Sequence, residues 1–243
     1  MPQAYDSLAE WFEYLNDDCD YEKWSQYFIR GLSRLGAGKK GLEIGCGSGY
    51  FCRALAKEGY AMTGTDISAP MLAVAAKKAR EAGVKAEFVL SDVLRLHTPE
   101  RYDFAISPND CFNYIPQGKL LTAFRRVASC LKKDGIFWFD ISSAGKLRGK
   151  VADNIFADDR DEVTYLCFGK GCGDCVEMDV TLFVRQSDGR FVRSDEKHIQ
   201  YIHEEENVLS ALCDAGFEPV AVEGHLGEEK AGSDRLNFIC RRK

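Results

Sequence analysis

The sequence predicts an α/β protein built on a doubly wound, mostly parallel sheet, and three observations carry that expectation. From Gly41 onward, short apolar segments alternate with amphipathic ones. A glycine-rich segment, Gly45-Cys46-Gly47-Ser48-Gly49, joins the first of these pairs. Ile136–Ile141 reads as an apolar strand of the kind buried on both faces of a parallel sheet.

Taken in order, residues 1–35 read as two amphipathic helices, with Leu8, Trp11, Phe12 and Leu15 on one face of the first and Tyr21, Trp24, Phe28, Leu32 and Leu35 on one face of the second. Strand 41–45 and the glycine loop lead to a helix that Gly59 ends, and strand 60–66 follows. Ser68 is placed to cap the next helix, with Pro70 in its first turn and Gly83 beyond its end. Strands 86–90 and 102–107, a helix over 116–132 stopping before an Asp134-Gly135 turn, and strand 136–141 complete the repeated β-α-β pattern. The period then changes. Val176, Met178, Val180, Leu182 and Val184 alternate with polar residues, and Asp188-Gly189 offers a hairpin turn before Phe191–Ile202. A helix from about Glu204 to Ala215 and strands near 218–224 and 236–241 return to the main sheet. The chain thus divides into a helical cap over 1–35, a core over 36–150 and 204–243, and an antiparallel β insertion over 151–203 on the substrate side.

At 243 residues, 45% hydrophobic and 29% charged, the chain has the composition of a globular protein with a sizeable core, and it holds no apolar run of membrane-spanning length. Its acidic, aromatic beginning is unlike a secretory leader, so a cytoplasmic location is expected. A net charge of −6 and a pI near 5.4 argue against a nucleic-acid partner, which requires clustered Lys and Arg. The ten cysteines fall mostly in apolar segments, and most of them read as buried thiols.

The loop Leu42-Glu43-Ile44-Gly45-Cys46-Gly47-Ser48-Gly49 stands where a doubly wound sheet holds a nucleotide-like ligand. Two ligands compete for it, a dinucleotide and S-adenosylmethionine. A dinucleotide loop spaces its glycines G-x-G-x-x-G, and the position of the third is Tyr50 here. Glu43 would place an anion beside a pyrophosphate but would suit the cationic head of an amino acid. Asp66, ending the second strand, is placed for ribose hydroxyls; Asp92 is placed for an adenine amino group, with Val93 and Ile67 on either side of the ring.

With these residues in place, the chain resembles the class I S-adenosylmethionine-dependent methyltransferases. Leu42–Gly49 matches their first motif, and Gly64-Thr65-Asp66-Ile67-Ser68, with Met71 after it, their second. The resemblance covers roughly 41–142 and 204–241. It implies a Rossmann-like seven-stranded sheet whose last strand is antiparallel, with Glu43, Gly45 and Gly47 around the methionine portion of the cofactor, Asp66 on the ribose, and Asp92 and Val93 at the adenine; Cys46, Gly49, Ile67 and Met71 are expected among the further cofactor contacts. It also puts the helical cap over the sulfonium, where the Tyr21 ring face would attract the cation. Within that superfamily, Tyr21-Glu22-Lys23-Trp24 and Asn109-Asp110-Cys111-Phe112-Asn113-Tyr114-Ile115 resemble a group of small bacterial methyltransferases of largely unassigned substrate. Where that group often has a Tyr-Asp pair, this chain has Phe12-Glu13.

Asn109, Asp110 and Tyr114 follow the fourth strand and are expected beside the transferred methyl group, Asn109 on the cofactor and Asp110, Tyr114 and His198 on the acceptor. Ser107-Pro108-Asn109-Asp110 is not the Asn-Pro-Pro-Tyr type associated with amino groups on bases or glutamine. At strand spacing, His198 and His203 would fall on opposite faces. Cys172 and Cys175 have half-site spacing for zinc but no second half-site, so no metal is expected and a hairpin end is. Residues 151–200 hold eleven Asp or Glu and six Lys or Arg, a balance that, facing the cleft, would favour a neutral or cationic acceptor.

The expected function is methyl transfer from S-adenosylmethionine to a small molecule by in-line displacement, with no general base identified from the sequence. The alternatives are a regulatory protein that binds this cofactor without turnover and an NAD-dependent oxidoreductase.

Overall fold

The computed structural model describes Tyr5 and residues 7–243. Strands β1 (Lys40–Ile44), β2 (Ala61–Asp66), β3 (Ala86–Leu90), β4 (Tyr102–Ser107), β5 (Leu131–Ser142), β10 (Phe217–Glu223) and β11 (Arg235–Arg242) form one seven-stranded sheet in the order β10-β11-β5-β4-β1-β2-β3. β11 runs antiparallel to both β5 and β10, and the pairs from β5 to β3 are parallel, so the expected antiparallel last strand is present.

Helices cover both faces. On one side, α2 (Tyr21–Arg34), α3 (Tyr50–Lys57) and α4 (Ala69–Glu81) bury Trp24, Phe28, Leu32, Phe51, Leu55 and Leu72 with Trp138 of β5. α2 approaches so closely that a Cβ on Gly31 would lie 2.2 Å from the Trp138 ring. On the other side, α5 (Leu120–Cys130) and α7 (Glu205–Asp214) cover a stack in which Phe139 lies between Phe137 and Phe238, at 4.7 and 5.1 Å between ring centres. α4 begins as its sequence predicts: Ser68 accepts the Met71 N–H, with Pro70 in the first turn.

β5 departs from the expected apolar strand in one residue. Asp140 is fully buried among its apolar neighbours, and its partner Arg235 comes from β11. β5 also starts earlier than expected: Leu131 already pairs with Tyr102, and Asp134, at φ +62°, makes a bulge inside the strand rather than a turn ahead of it. The helix expected over 116–132 accordingly spans only Leu120–Cys130, after a turn of 3-10 helix at Gln117–Lys119.

A single helical turn, α6 (Ala144–Lys146), leads into the second sheet, β6 (Ile155–Asp159), β7 (Val163–Gly171), β8 (Cys175–Arg185) and β9 (Phe191–Tyr201), antiparallel throughout. Cys172 and Cys175 form a disulfide at the β7–β8 hairpin, and no metal-ligand cluster occurs among the described residues. No helix of the described residues is long and apolar enough to cross a membrane.

The first predicted amphipathic helix is corrected. Residues 1–4 and 6 lie outside the described residues, and within the remainder only α1 (Phe12–Leu15) is helical. The preceding segment lies instead against the second sheet, where Leu8 packs on Val163 and Leu182. The cause is Glu196: its carboxylate accepts the backbone N–H groups of Tyr5, Ser7 and Leu8 at 2.8, 2.5 and 3.0 Å, supplying from a side chain the partners that a helix would supply from its backbone.

Candidate functional site

The carboxyl ends of β1, β2, β3 and β4 open onto a cavity of about 320 Å³. Its walls include Glu43, Gly45, Cys46 and Gly47 from the first loop, Asp66, Ile67 and Met71 from the second, and Asp92, Val93 and Asn109 from the third and fourth. Tyr21 roofs it from α2, and Tyr114 closes the far side.

The loop takes its shape from glycines at positive φ. Gly45 stands at φ +66°, where a Cβ would lie 2.3 Å from Cys111 Sγ, so its missing side chain lets the segment after β4 come close. Gly47 stands at φ +50° with nothing within 4 Å of a Cβ position; the space beside it is free for a ligand. Gly49 differs from the expectation. It is absent from the cavity wall and serves packing: a Cβ there would lie 2.9 Å from Ala75 and from the Phe88 ring. Cys46 lies on the wall, and its sulfur faces Gly64, leaving no room for a side chain on β2.

Two buried polar atoms on the walls have no partner among the described residues. One is Glu43 Oε2 and the other the Tyr21 hydroxyl. Burial raises the Glu43 carboxyl to about 8, and burial likewise pushes the Tyr21 hydroxyl up. A ligand with an ammonium group would convert the first from a neutral acid to a paired carboxylate. Asp66 accepts from Gly47 N–H on Oδ2 and from Ser68 N–H on Oδ1, both at 2.8 Å, leaving each oxygen a further lone pair toward the cavity. Burial raises its pKa against the pull of those donors. Asp92 spends one oxygen on the Leu94 N–H and keeps the other, with Ile67 and Val93 also on the wall. An ammonium partner, a diol partner, an amino-group partner and an open glycine cradle fit the head, ribose and adenine of S-adenosylmethionine.

The roof is tied down by Glu13, which sequence reasoning did not single out as a site residue. Its carboxylate reaches Arg53 at 2.9 Å, Lys78 at 2.7 Å and the Ser48 hydroxyl, joining α1 to α3, α4 and the glycine loop. Burial works against its ionisation, but Lys78, Ser48 and Arg53 outweigh burial and hold its pKa below the usual range. Above the cavity, the Tyr21 ring stacks on Tyr50 at 4.8 Å.

Just after β4, Asn109 and Asp110 are both left-handed, at φ +65° and +51°. The buried Asp140 carboxylate holds them there, accepting their N–H groups at 2.7 and 3.0 Å, and Arg235 pairs with it. Asn109 and Tyr114 reach the cavity wall, whereas Asp110 and His198 do not. The Asp110 side chain turns to Ser142, Gln200 and Arg235; its burial is outweighed by Arg235 and Lys146, which hold it below the ordinary carboxylate range. His198 stands behind Tyr114. His203 does not lie on a strand face opposite His198, because β9 ends at Tyr201; it is also buried, bonded to Gln117 and the Phe112 carbonyl.

The insertion's acidic residues do not crowd the cleft. Asp188, Asp195 and Glu177 pair with Arg190, Arg193 and Lys197 of their own sheet, and Asp158 with Arg160. Glu196 is the inward one and is consumed by three N–H groups and His198. Sequence reasoning missed Tyr5, Glu13, Asp140 and Arg235 at the site. Asp140, a carboxylate inside an apolar strand, was the legible signal among them.

Residues 42–135 match the family described as "Methyltransferase domain". A protein of Geobacillus sp. (strain WCH70) named as a methyltransferase is 31% identical over 98% of this chain and 100% of its own length. The crystal structure of an S-adenosylmethionine-dependent methyltransferase from Clostridium acetobutylicum ATCC 824 superposes with a TM-score of 0.89 at 26% identity, over 99% of each chain. The sugar N-methyltransferase KedS8 from Streptoalloteichus sp. ATCC 53650 shares the fold, with a TM-score of 0.82 at 18% identity over 100% of this chain and 94% of its own.

Proposed function

The chain belongs to the class I S-adenosylmethionine-dependent methyltransferases, and from that premise we propose that its methyl acceptor is a small molecule bound in the same cavity as the cofactor. The observation that carries this reading is the size and lining of the site. The cavity of about 320 Å³ is within the range of small-molecule sites, and Tyr5, Phe12 and Tyr21 stand over it. The sugar N-methyltransferase name of one structural neighbour is in keeping with it.

When bound, the cofactor supplies an electrophilic methyl group on a sulfonium whose leaving thioether is already good. The chain's own residues bind, orient and exclude water. Glu43 would take the amino group, Gly47 would leave room for the methionine portion, Asp66 would take the ribose hydroxyls and Asp92 the adenine amino group, with Ile67 and Val93 against the ring. Tyr21, on the cavity wall, would offer its ring face to the sulfonium, and Asn109 and Tyr114, also on the wall, would border the incoming nucleophile. Fixing donor and acceptor in line inside a dry site is the main rate-raising device available to such a protein.

The test is incubation of the purified protein with methyl-labelled S-adenosylmethionine and a cell extract, followed by separation by size. Label in the small-molecule fraction is expected; label confined to protein or nucleic acid overturns the proposal.

A further inference from the structure

A buried chain of hydrogen bonds runs from the cavity wall into the second sheet. The Tyr5 hydroxyl lies 2.7 Å from the Tyr114 hydroxyl, and both residues line the cavity. Tyr114 Oη lies 3.1 Å from His198 Nδ1, and His198 Nε2 lies 3.1 Å from Glu196 Oε2. The His198 and Glu196 side chains are 4% and 1% exposed, so water does not intrude between them. The Tyr5 ring meets the imidazole edge-on at 4.8 Å.

The polarity of this chain follows from counting donors. Although burial works against it, Glu196 is held below the ordinary carboxylate range by His198 and by the N–H groups of Tyr5, Ser7 and Leu8. An ionised carboxylate only accepts, so in the neutral imidazole Nε2 carries the proton and Nδ1 is the bare nitrogen. Tyr114 then donates its only proton to Nδ1, and Tyr5 donates its own to the Tyr114 oxygen. What remains at the cavity end is a Tyr5 oxygen with lone pairs and no outgoing commitment. Every donor points away from the cavity and toward Glu196. The other titratable groups facing the chain among the described residues are Asp110, Cys111 and Tyr165.

We propose that Tyr5, Tyr114 and His198, oriented by Glu196, form a proton relay that takes the proton from the methyl acceptor, so the acceptor is a nitrogen or oxygen nucleophile that must shed a proton to react. This rests on the small-molecule proposal above. As the nucleophile's electron pair forms its bond to the methyl carbon, the carbon–sulfur pair returns to sulfur and the thioether becomes neutral. The proton released by the nucleophile passes to Tyr5, that of Tyr5 to Tyr114, and that of Tyr114 to His198 Nδ1. The positive charge lost from the sulfonium reappears on an imidazolium facing the Glu196 carboxylate, so no uncompensated charge is left buried. Each tyrosine ends neutral, as burial of both hydroxyls requires. The Tyr5 ring stands edge-on to Phe12 at 5.8 Å.

The first test is nitrogen-15 NMR of the histidine side chains, with His198→Gln used to assign the signal. Expected is the Nε2–H tautomer with a hydrogen-bonded bare Nδ1 that shifts in Tyr114→Phe; an Nδ1–H tautomer overturns the proposal. The second uses label transfer into the small-molecule extract. Tyr114→Phe and His198→Gln should lower the rate by about 100-fold while S-adenosylhomocysteine, measured by calorimetry, binds as before. The pH profile of the rate in the parent protein should change in Tyr114→Phe. Transfer by Tyr114→Phe at the parent rate with the parent pH profile overturns the relay but leaves the small-molecule acceptor standing, whereas label found only in macromolecules overturns that acceptor.

Discussion

Gly47 donates its backbone N–H to the Asp66 carboxylate at 2.8 Å, so the glycine loop after β1 and the acid at the end of β2 hold one another in place. A single substitution at Asp66 therefore acts twice, on the ribose partner and on the loop.

Asp66→Ala should weaken S-adenosylhomocysteine binding by roughly 1.5–3 kcal/mol, or about 10- to 150-fold, for the charged hydrogen bonds alone. Asp66→Asn, which keeps one acceptor oxygen, should lose less. Calorimetric titration checks both, and an unchanged affinity in Asp66→Ala would remove the residue from the ribose.

The two neighbouring loop glycines should separate stability from binding. Gly45→Ala places a Cβ 2.3 Å from Cys111 Sγ at a positive φ, so the protein should unfold at markedly lower urea. Gly47→Ala meets nothing and should cost only the left-handed strain, about 1–2 kcal/mol, yet its methyl occupies the cradle and should weaken cofactor binding. Urea denaturation and titration of the two variants give the comparison.

Glu43, in its proposed place at the cofactor's amino group, should make cofactor binding a proton-releasing event. With its carboxyl raised to about 8, the free protein holds that proton at neutral pH, and pairing with an ammonium group expels it. Calorimetry in two buffers of different ionisation heat should detect release approaching one proton near pH 7, absent in Glu43→Gln. Affinity should rise with pH toward about 8, then level or fall as the ligand's own α-amino group, near 7.7–8.0, loses its charge. The stability of the free protein follows the opposite sign. From the ordinary value of 4.5 up to about 8 the folded chain binds more protons than the unfolded one, so this group's contribution declines as pH rises, and Glu43→Gln should flatten that slope.

Arg235→Met should leave Asp140 as a buried carboxylate without its cation. The expected cost is about 3–5 kcal/mol in urea unfolding, and Asp140→Asn on top of it should recover much of the loss. Because Asp140 also holds the N–H groups of Asn109 and Asp110, the single variant should weaken cofactor binding as well.

The sheet and the cofactor side of the cavity were legible because their information is local. Glu43, Asp66 and Asp92 stand at or just beyond the ends of β1, β2 and β3, and the strand-loop-helix grammar that places such positions at one edge of a parallel sheet is written within a few residues of each. Gly49 shows the limit of motif reading: as part of a glycine run it resembles a ligand contact, but its missing side chain makes room for Ala75 and Phe88. The first amphipathic segment misled in the same way, because its apolar spacing is real but its backbone donors find Glu196 about 190 residues away before they find one another.

By itself the sequence determined a doubly wound sheet and a nucleoside-binding edge carrying one glutamate and two aspartates, and the antiparallel last strand came with the family resemblance. Only the tertiary structure decided which polar groups meet across the chain: Arg235 with Asp140 over 95 residues, and Tyr114 with His198 over 84. The reason is that periodicity and turn chemistry report on neighbours a few residues apart, whereas a buried proton or charge is governed by whichever side chain the packing of two sheets brings within about 3 Å, and no local pattern encodes that partner.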